Sequence, residues 1–142
     1  DHENYNYTPD DFPDKDITTI CGSYFDVPFG DGIFDAAVSV ESLHHFSKEE
    51  KIPLYAKLWQ ALKPDGYLIL TDYFAETDEQ ETFFRQEQIR LRKEQNLPDE
   101  VFYHYDTPLT VEHEKEALIA AGFTKVEVLN HWEATYTLKA GR

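Results

Sequence analysis

The stretch Ile33-Phe34-Asp35-Ala36-Ala37-Val38-Ser39-Val40-Glu41-Ser42-Leu43-His44-His45-Phe46 decides the fold. Residues 33–40 are apolar except for Asp35 and Ser39, which suits a β-strand covered on both faces, as in a parallel sheet. Just before it, Pro28-Phe29-Gly30-Asp31-Gly32 reads as a turn, because the Phe-Gly and Asp-Gly junctions supply positive φ. Further upstream, residues 17–21 are short, β-branched and strand-like, with Cys21 as a buried structural thiol. Residues 1–16 form a polar linker or arm. There Asp1, Glu3, Asp10, Asp11, Asp14 and Asp16 face only Lys15, with Tyr5 and Tyr7 among them.

Downstream, Ser47-Lys48-Glu49-Glu50 is a capping box that starts a helix. Pro53 is expected to end a first turn and restart it. Leu54, Leu58, Ala61 and Leu62 line one helical face, and Lys63-Pro64-Asp65-Gly66 stops the helix. Residues 67–71 are a second strongly apolar strand. Residues 78–95 are charged and free of Gly and Pro, a helix with little to bury. Thr110 caps another helix running to Ala121, with Gly122 just past its end. Val126 and Val128, then Trp132, Ala134, Tyr136 and Leu138, alternate with polar residues, which predicts a closing hairpin over Asn130-His131. Strands alternate with helices, so the fold class is α/β with a parallel sheet and an antiparallel strand at its end.

Composition narrows the function. The chain has 142 residues, 28 acidic against 13 basic, and a net charge of -15. A phosphate-backbone binder carries basic patches, so nucleic acid is excluded as a partner. No apolar run nears the roughly 20 residues that span a bilayer, and the acidic N-terminus is no signal peptide. The lone Cys21 favours a reducing, cytoplasmic compartment. There is no zinc-type Cys/His spacing, no G-x-S-x-G elbow and no P-loop, so no metal site is expected. His44 and His45 are adjacent and cannot point one way on a helix or strand; as a plain loop pair, one of them would pack on Trp59.

Three pieces occur in order: Pro28-Phe29-Gly30-Asp31-Gly32-Ile33-Phe34-Asp35, then Leu43-His44-His45-Phe46, then Leu62-Lys63-Pro64-Asp65-Gly66-Tyr67-Leu68. Together they resemble the class I S-adenosylmethionine-dependent methyltransferases. That family has a Rossmann-like sheet in the order 3-2-1-4-5-7-6, with strand 7 antiparallel and helices on its faces. The resemblance implies that this chain supplies the equivalents of strands 3, 4, 5, 6 and 7. The Gly-rich turn after the family's first strand and the ribose-binding acid after its second are not here. With no Met in the chain and Asp at position 1, the chain looks like the C-terminal portion of a methyltransferase domain over residues 17–142. By itself it is expected to be inactive. A raw sheet edge would then recruit a missing N-terminal segment or another copy.

The resemblance also implies roles. S-adenosylmethionine would meet Ser23 and Tyr24, where the family carries an Asp beside the adenine, and then Ser39 and Val40. Glu41, His45 and His104 are the candidate acid–base residues. Tyr73, Tyr103 and Tyr105 would line the acceptor site, with residues 74–109 as a lid over a small-molecule methyl acceptor. Asp65 stands where a second Gly is usual and tolerates positive φ. The competing reading, from a different class, is a non-catalytic methyltransferase-like interaction module that pairs through its sheet edge.

Overall fold

The computed structural model describes residues 13–101 and 103–142. The acidic first part of the arm, with Tyr5 and Tyr7, and Phe102 lie outside the described residues. The elements are β1 (Phe34–Val40), α1 (Lys48–Ala61), β2 (Leu62–Tyr73), α2 (Asp78–Glu94), α3 (Val111–Ala120), β3 (Lys125–Trp132) and β4 (Thr135–Gly141). They build a four-stranded mixed sheet in the order β1-β2-β4-β3, with β1 parallel to β2 and β4 antiparallel to both neighbours. This is the 4-5-7-6 part of the expected sheet, antiparallel strand included.

Several local expectations hold for the reasons given. Gly30 and Gly32 have φ of 91° and 58°, as the turn before β1 requires. The Ser47 hydroxyl accepts from the Glu50 N–H, and the Glu50 carboxylate accepts from the Ser47 N–H. Thr110 caps α3 by accepting from the His113 N–H, and Gly122 follows its end with φ 120°. Of the side chains on α2, only Glu81 is buried.

Other elements differ. Residues 17–21 form no strand, and Cys21 is exposed rather than buried. A strand needs a partner for its N–H and C=O groups, and no described strand lies beside this segment. Pro53 does not interrupt α1, which is continuous. The bond lost at Pro53 is the one to the Glu49 carbonyl, in an exposed first turn where losing a helix bond costs least. Residues 63–66 do not simply separate helix from strand. Leu62 already pairs with Phe34, and the next partners are Tyr67 and Ala36, so Lys63-Pro64-Asp65-Gly66 loops out as a wide bulge. A Cβ on Gly66 would sit 2.9 Å from the Lys63 carbonyl oxygen and 3.2 Å from that of Asp35, so the close approach requires glycine there. Asp65 is not among the residues with positive φ. The final hairpin turns at Glu133 and Ala134, with Trp132 opposite Thr135, rather than over Asn130-His131. A bulge between Val128 and Asn130 shifts the alternation, and a phase break in the sequence looks the same as a turn.

The core lies on one face of the sheet. Leu68 and Leu70 of β2 and Leu138 and Ala140 of β4 pack under Leu54 and Tyr55 of α1 and Ala117 and Leu118 of α3. Helices were expected on both faces, but no described helix covers the other one. Val38 and Val40, which alternate onto it, are 69% and 58% exposed. Between α1 and α3, Lys51 Nζ lies 2.8 Å from Glu114 Oε2, and the Tyr55 hydroxyl donates to Glu114 Oε1; all three residues are buried. Burial, and the Glu114 charge beside it, push the Tyr55 phenol far above its usual range, so it remains a donor. Replacing Lys51 by Met strands the Glu114 carboxylate and is expected to cost about 3–5 kcal/mol in denaturant unfolding. Lys63→Met, which removes an exposed pair with Asp35, is expected to cost about 1 kcal/mol or less.

Candidate active site at the carboxyl ends of β1 and β2

In an open α/β sheet the carboxyl ends of parallel strands form the binding crevice. Here β1 ends at Val40 and turns sharply. Glu41 takes φ 49° while its N–H donates to the Thr71 carbonyl at 2.8 Å, which ties the turn to β2. Ser39 and Ser42 hydroxyls meet at 3.0 Å across the same turn. The chain then drops Leu43 into the core and projects His44 and His45 from a tight turn, not from a helix or strand.

Asp72 organises this end. It follows Leu68 and Leu70 on the inward face of β2 and is 2% exposed. Its Oδ2 accepts from the Leu43 N–H at 3.2 Å and its Oδ1 from the Tyr73 N–H at 3.0 Å. The same Oδ1 lies 2.7 Å from His44 Nδ1. The other ring nitrogen of His44, Nε2, lies 3.2 Å from Asp106 Oδ1, and His45 Nδ1 reaches that oxygen at 3.1 Å. Tyr73 donates its hydroxyl to Asp106 Oδ2, and its ring lies 4.1 Å from that of His44. His104 stands 4.4 Å from His45, ring to ring.

The adjacent histidines therefore do converge, on one carboxylate. Their turn geometry allows what helical or extended backbone forbids. Neither ring packs on Trp59, whose ring lies under the Arg142 guanidinium beside Gly122. Burial, then the neighbouring His44 and His104, lower the His45 pKa from 6.5, against the opposite pull of Asp106 and Asp72. Burial and the bond to Asp106 raise the Tyr73 phenol far above its ordinary value.

Residues 74–109 leave and rejoin the sheet at one point, where Ala75 bridges Thr110 and the Ala75 N–H donates to the Leu109 carbonyl at 2.8 Å. The return limb is fixed by the Thr107 N–H donating to the His44 carbonyl at 2.9 Å, which delivers His104 and Asp106 to the site. A groove of about 280 Å³ beside them is lined by Tyr73, Phe74, Gln80, Phe84, Asp106 and Pro108. A larger groove, about 750 Å³, lies at the opposite ends of β1 and β2 between Gly32, Trp59, Pro64 and Arg142, away from these groups.

Of the predicted residues, Glu41, His45, His104 and Tyr73 come together at this end. Ser39 and Val40 form the last residues of β1 beside them. Tyr103 and Tyr105 sit on the return limb but stack on each other, with parallel rings 6.3 Å apart. Ser23 and Tyr24 lie on a separate exposed turn. Lys57 of α1 holds it through the carbonyls of Tyr24 and Val27, and Phe25 packs edge-on against Phe46 at 5.0 Å. Ser23 Oγ already accepts from the Phe25 N–H at 3.2 Å. Sequence reasoning missed Asp72 and Asp106. Asp72 had a signal, an acid closing an apolar strand; Asp106 had none.

The comparisons agree with the sheet. Residues 2–70 match the family described as "Methyltransferase domain". The 24-methylenesterol C-methyltransferase 2 of Arabidopsis thaliana is 36% identical over 50 residues, covering 35% of this chain and 13% of that protein. An S-adenosylmethionine-dependent methyltransferase from Thermotoga maritima superposes with a TM-score of 0.58 at 19% identity, covering 94% of this chain and 68% of that one. Human N-acetylserotonin methyltransferase, solved in complex with S-adenosylmethionine, gives a TM-score of 0.60 at 15% identity, covering 85% and 32%. Residues 2–70 thus match the methyltransferase-domain family, and the chain has the fold of solved S-adenosylmethionine-dependent methyltransferases. It spans about an eighth of the length of the Arabidopsis relative it matches.

The cluster makes a direct electrostatic prediction. A proton-NMR titration of His45 is expected to give a midpoint below 6.5. Asp106→Asn removes a charge that favours imidazolium, so the midpoint should fall further. A rise in that variant would contradict the geometry.

Proposed function

We propose that this chain forms the acceptor side of an enzyme that transfers a methyl group from S-adenosylmethionine to a small molecule. The observation that carries the proposal is the grouping of His44, His45, His104, Asp72, Asp106 and Tyr73 at the carboxyl ends of β1 and β2, the binding edge of this fold.

The described residues fit a cofactor site only in part. Val40 and Glu41 end β1 where it would lie, but the Ser23 hydroxyl is engaged within its own turn. The cofactor supplies an electrophilic methyl group. What the chain's own side chains add is alignment of the acceptor and removal of its proton. His45, with its lowered pKa, is neutral near pH 7 and is positioned to take that proton; His104 and Glu41 are the alternatives by type. Asp72 and Asp106 would steady the imidazolium that results. Residues 74–109 close over the acceptor. The net charge of -15 argues for a small acceptor over nucleic acid, and the single cysteine suits a cytoplasmic setting.

Completion of the cofactor site is assigned to a segment upstream of Asp1 or to another copy. Among the described residues, β1 pairs only with β2, and Ile33, Phe34, Val38 and Val40 along it are exposed. Such an edge recruits a strand. The same edge is what favours the second reading, a module that pairs without catalysis.

Titration calorimetry with S-adenosylhomocysteine separates the two. The 142-residue chain is expected to bind no tighter than the millimolar range, and the protein extended upstream to bind in the micromolar range. Within the extended protein, His45→Gln is expected to lower kcat about 10²–10⁴-fold with little change in cofactor affinity. Absence of binding in the extended protein would favour the pairing module, and light scattering would then give its partner stoichiometry.

A further inference from the structure

We propose that His44 Nε2, His45 Nδ1 and Asp106 Oδ1 form a binding site for a divalent transition-metal ion of the zinc or cobalt type. These atoms all lie within 4.8 Å of one another. The two nitrogens are 3.2 and 3.1 Å from the shared carboxylate oxygen. A tetrahedral ion with bonds of about 2.0–2.1 Å sets its ligand atoms about 3.3 Å apart. Shifts of a few tenths of an ångström would therefore admit the ion along both edges that meet at Asp106. Two imidazoles and one carboxylate suit zinc or cobalt, and suit calcium or magnesium poorly.

A second set of contacts orients the ligands, as metal sites require. The Asp72 carboxylate, buried and held by the Leu43 and Tyr73 N–H groups, lies 2.7 Å from His44 Nδ1. A proton on Nδ1 shared with Asp72 leaves a lone pair on Nε2, which lies 3.2 Å from Asp106 Oδ1. The Tyr73 hydroxyl occupies Asp106 Oδ2, which leaves Oδ1 to the metal. His104, 4.4 Å from His45 ring to ring, adds a further imidazole next to the set. With three protein ligands the ion keeps a position for water or for an acceptor heteroatom, and a bound hydroxyl would lose its proton more readily.

The other group of this kind, Asp78, Glu81 and His113, is explained without a metal. Glu81 Oε2 accepts from the Thr110 N–H at 3.1 Å and lies 2.6 Å from His113 Nδ1, which ties α2 to the start of α3. It serves as the internal control.

The metal proposal does not rest on methyl transfer, and its test needs no turnover. Metal-stripped chain is titrated with Co²⁺ while the visible d–d absorption is read, followed by competition with Zn²⁺. One equivalent is expected to bind at micromolar concentration or tighter and to be displaced by Zn²⁺. Asp106→Asn and His45→Gln should each weaken binding at least tenfold, Tyr73→Phe about tenfold, and His113→Gln should leave it unchanged. The Asp106 side chain is 47% exposed, so its variant is expected to fold, and far-UV circular dichroism checks this. The proposal is overturned if no stoichiometric binding occurs below millimolar metal. It is equally overturned if binding survives Asp106→Asn or disappears with His113→Gln.

Discussion

The buried carboxylate of Asp72 is the constraint on which the functional end of this molecule depends. A charge at 2% exposure must be matched by donors. Its donors come from its own strand, through the Tyr73 N–H, and from the turn after β1, through the Leu43 N–H and the His44 ring. Satisfying that one group fixes the turn after β1 against the end of β2 and sets the orientation of His44. Through the other nitrogen of His44 it also fixes where Asp106 must sit. The loop that carries Asp106 is then held by its own backbone bond from Thr107 to the His44 carbonyl. One buried acid thus links three segments that are distant in sequence.

A second buried group does comparable work on the helical layer. Glu114 lies at 1% exposure between Lys51 and Tyr55, so α1 and α3 are locked at one relative position above β2 and β4. The two networks differ in consequence. The Lys51–Glu114–Tyr55 group faces only other protein atoms and serves packing. The Asp72 group ends in a half-exposed carboxylate, Asp106, and in imidazoles beside a groove, where a proton, a metal or an acceptor can reach it. That difference in access makes one network structural and the other a candidate site.

The layering explains the chain's unusual surface. Helices α1 and α3 cover one face of the sheet, while β1 exposes Val38 and Val40 on the other and has no described neighbour at its edge. The sequence of β1 is nearly continuous in apolar residues, as in strands buried on both sides. At this strand the apolar sequence and the described burial disagree. The disagreement is the physical argument for a covering segment or a second copy.

What the sequence by itself determined was local. The Ser47 capping box, the Thr110 cap, the Gly30 and Gly32 turn and the apolar face of α1 each depend on residues a few positions apart, and each formed as read. So did the order of the sheet, because three spaced motifs together resemble one family. The sequence misled where a partner or a phase was at stake. Residues 17–21 have strand-forming side chains but no described neighbour to pair with, and the bulge at Leu129 imitates a turn. The site was legible only as a list of residue types at a sheet end. That His44 and His45 face the same carboxylate, and that this carboxylate is Asp106, was decided by tertiary structure alone. Asp106 lies near the end of an excursion of some 35 residues that closes where Ala75 bridges Thr110, and no periodicity or spacing encodes where such a loop returns.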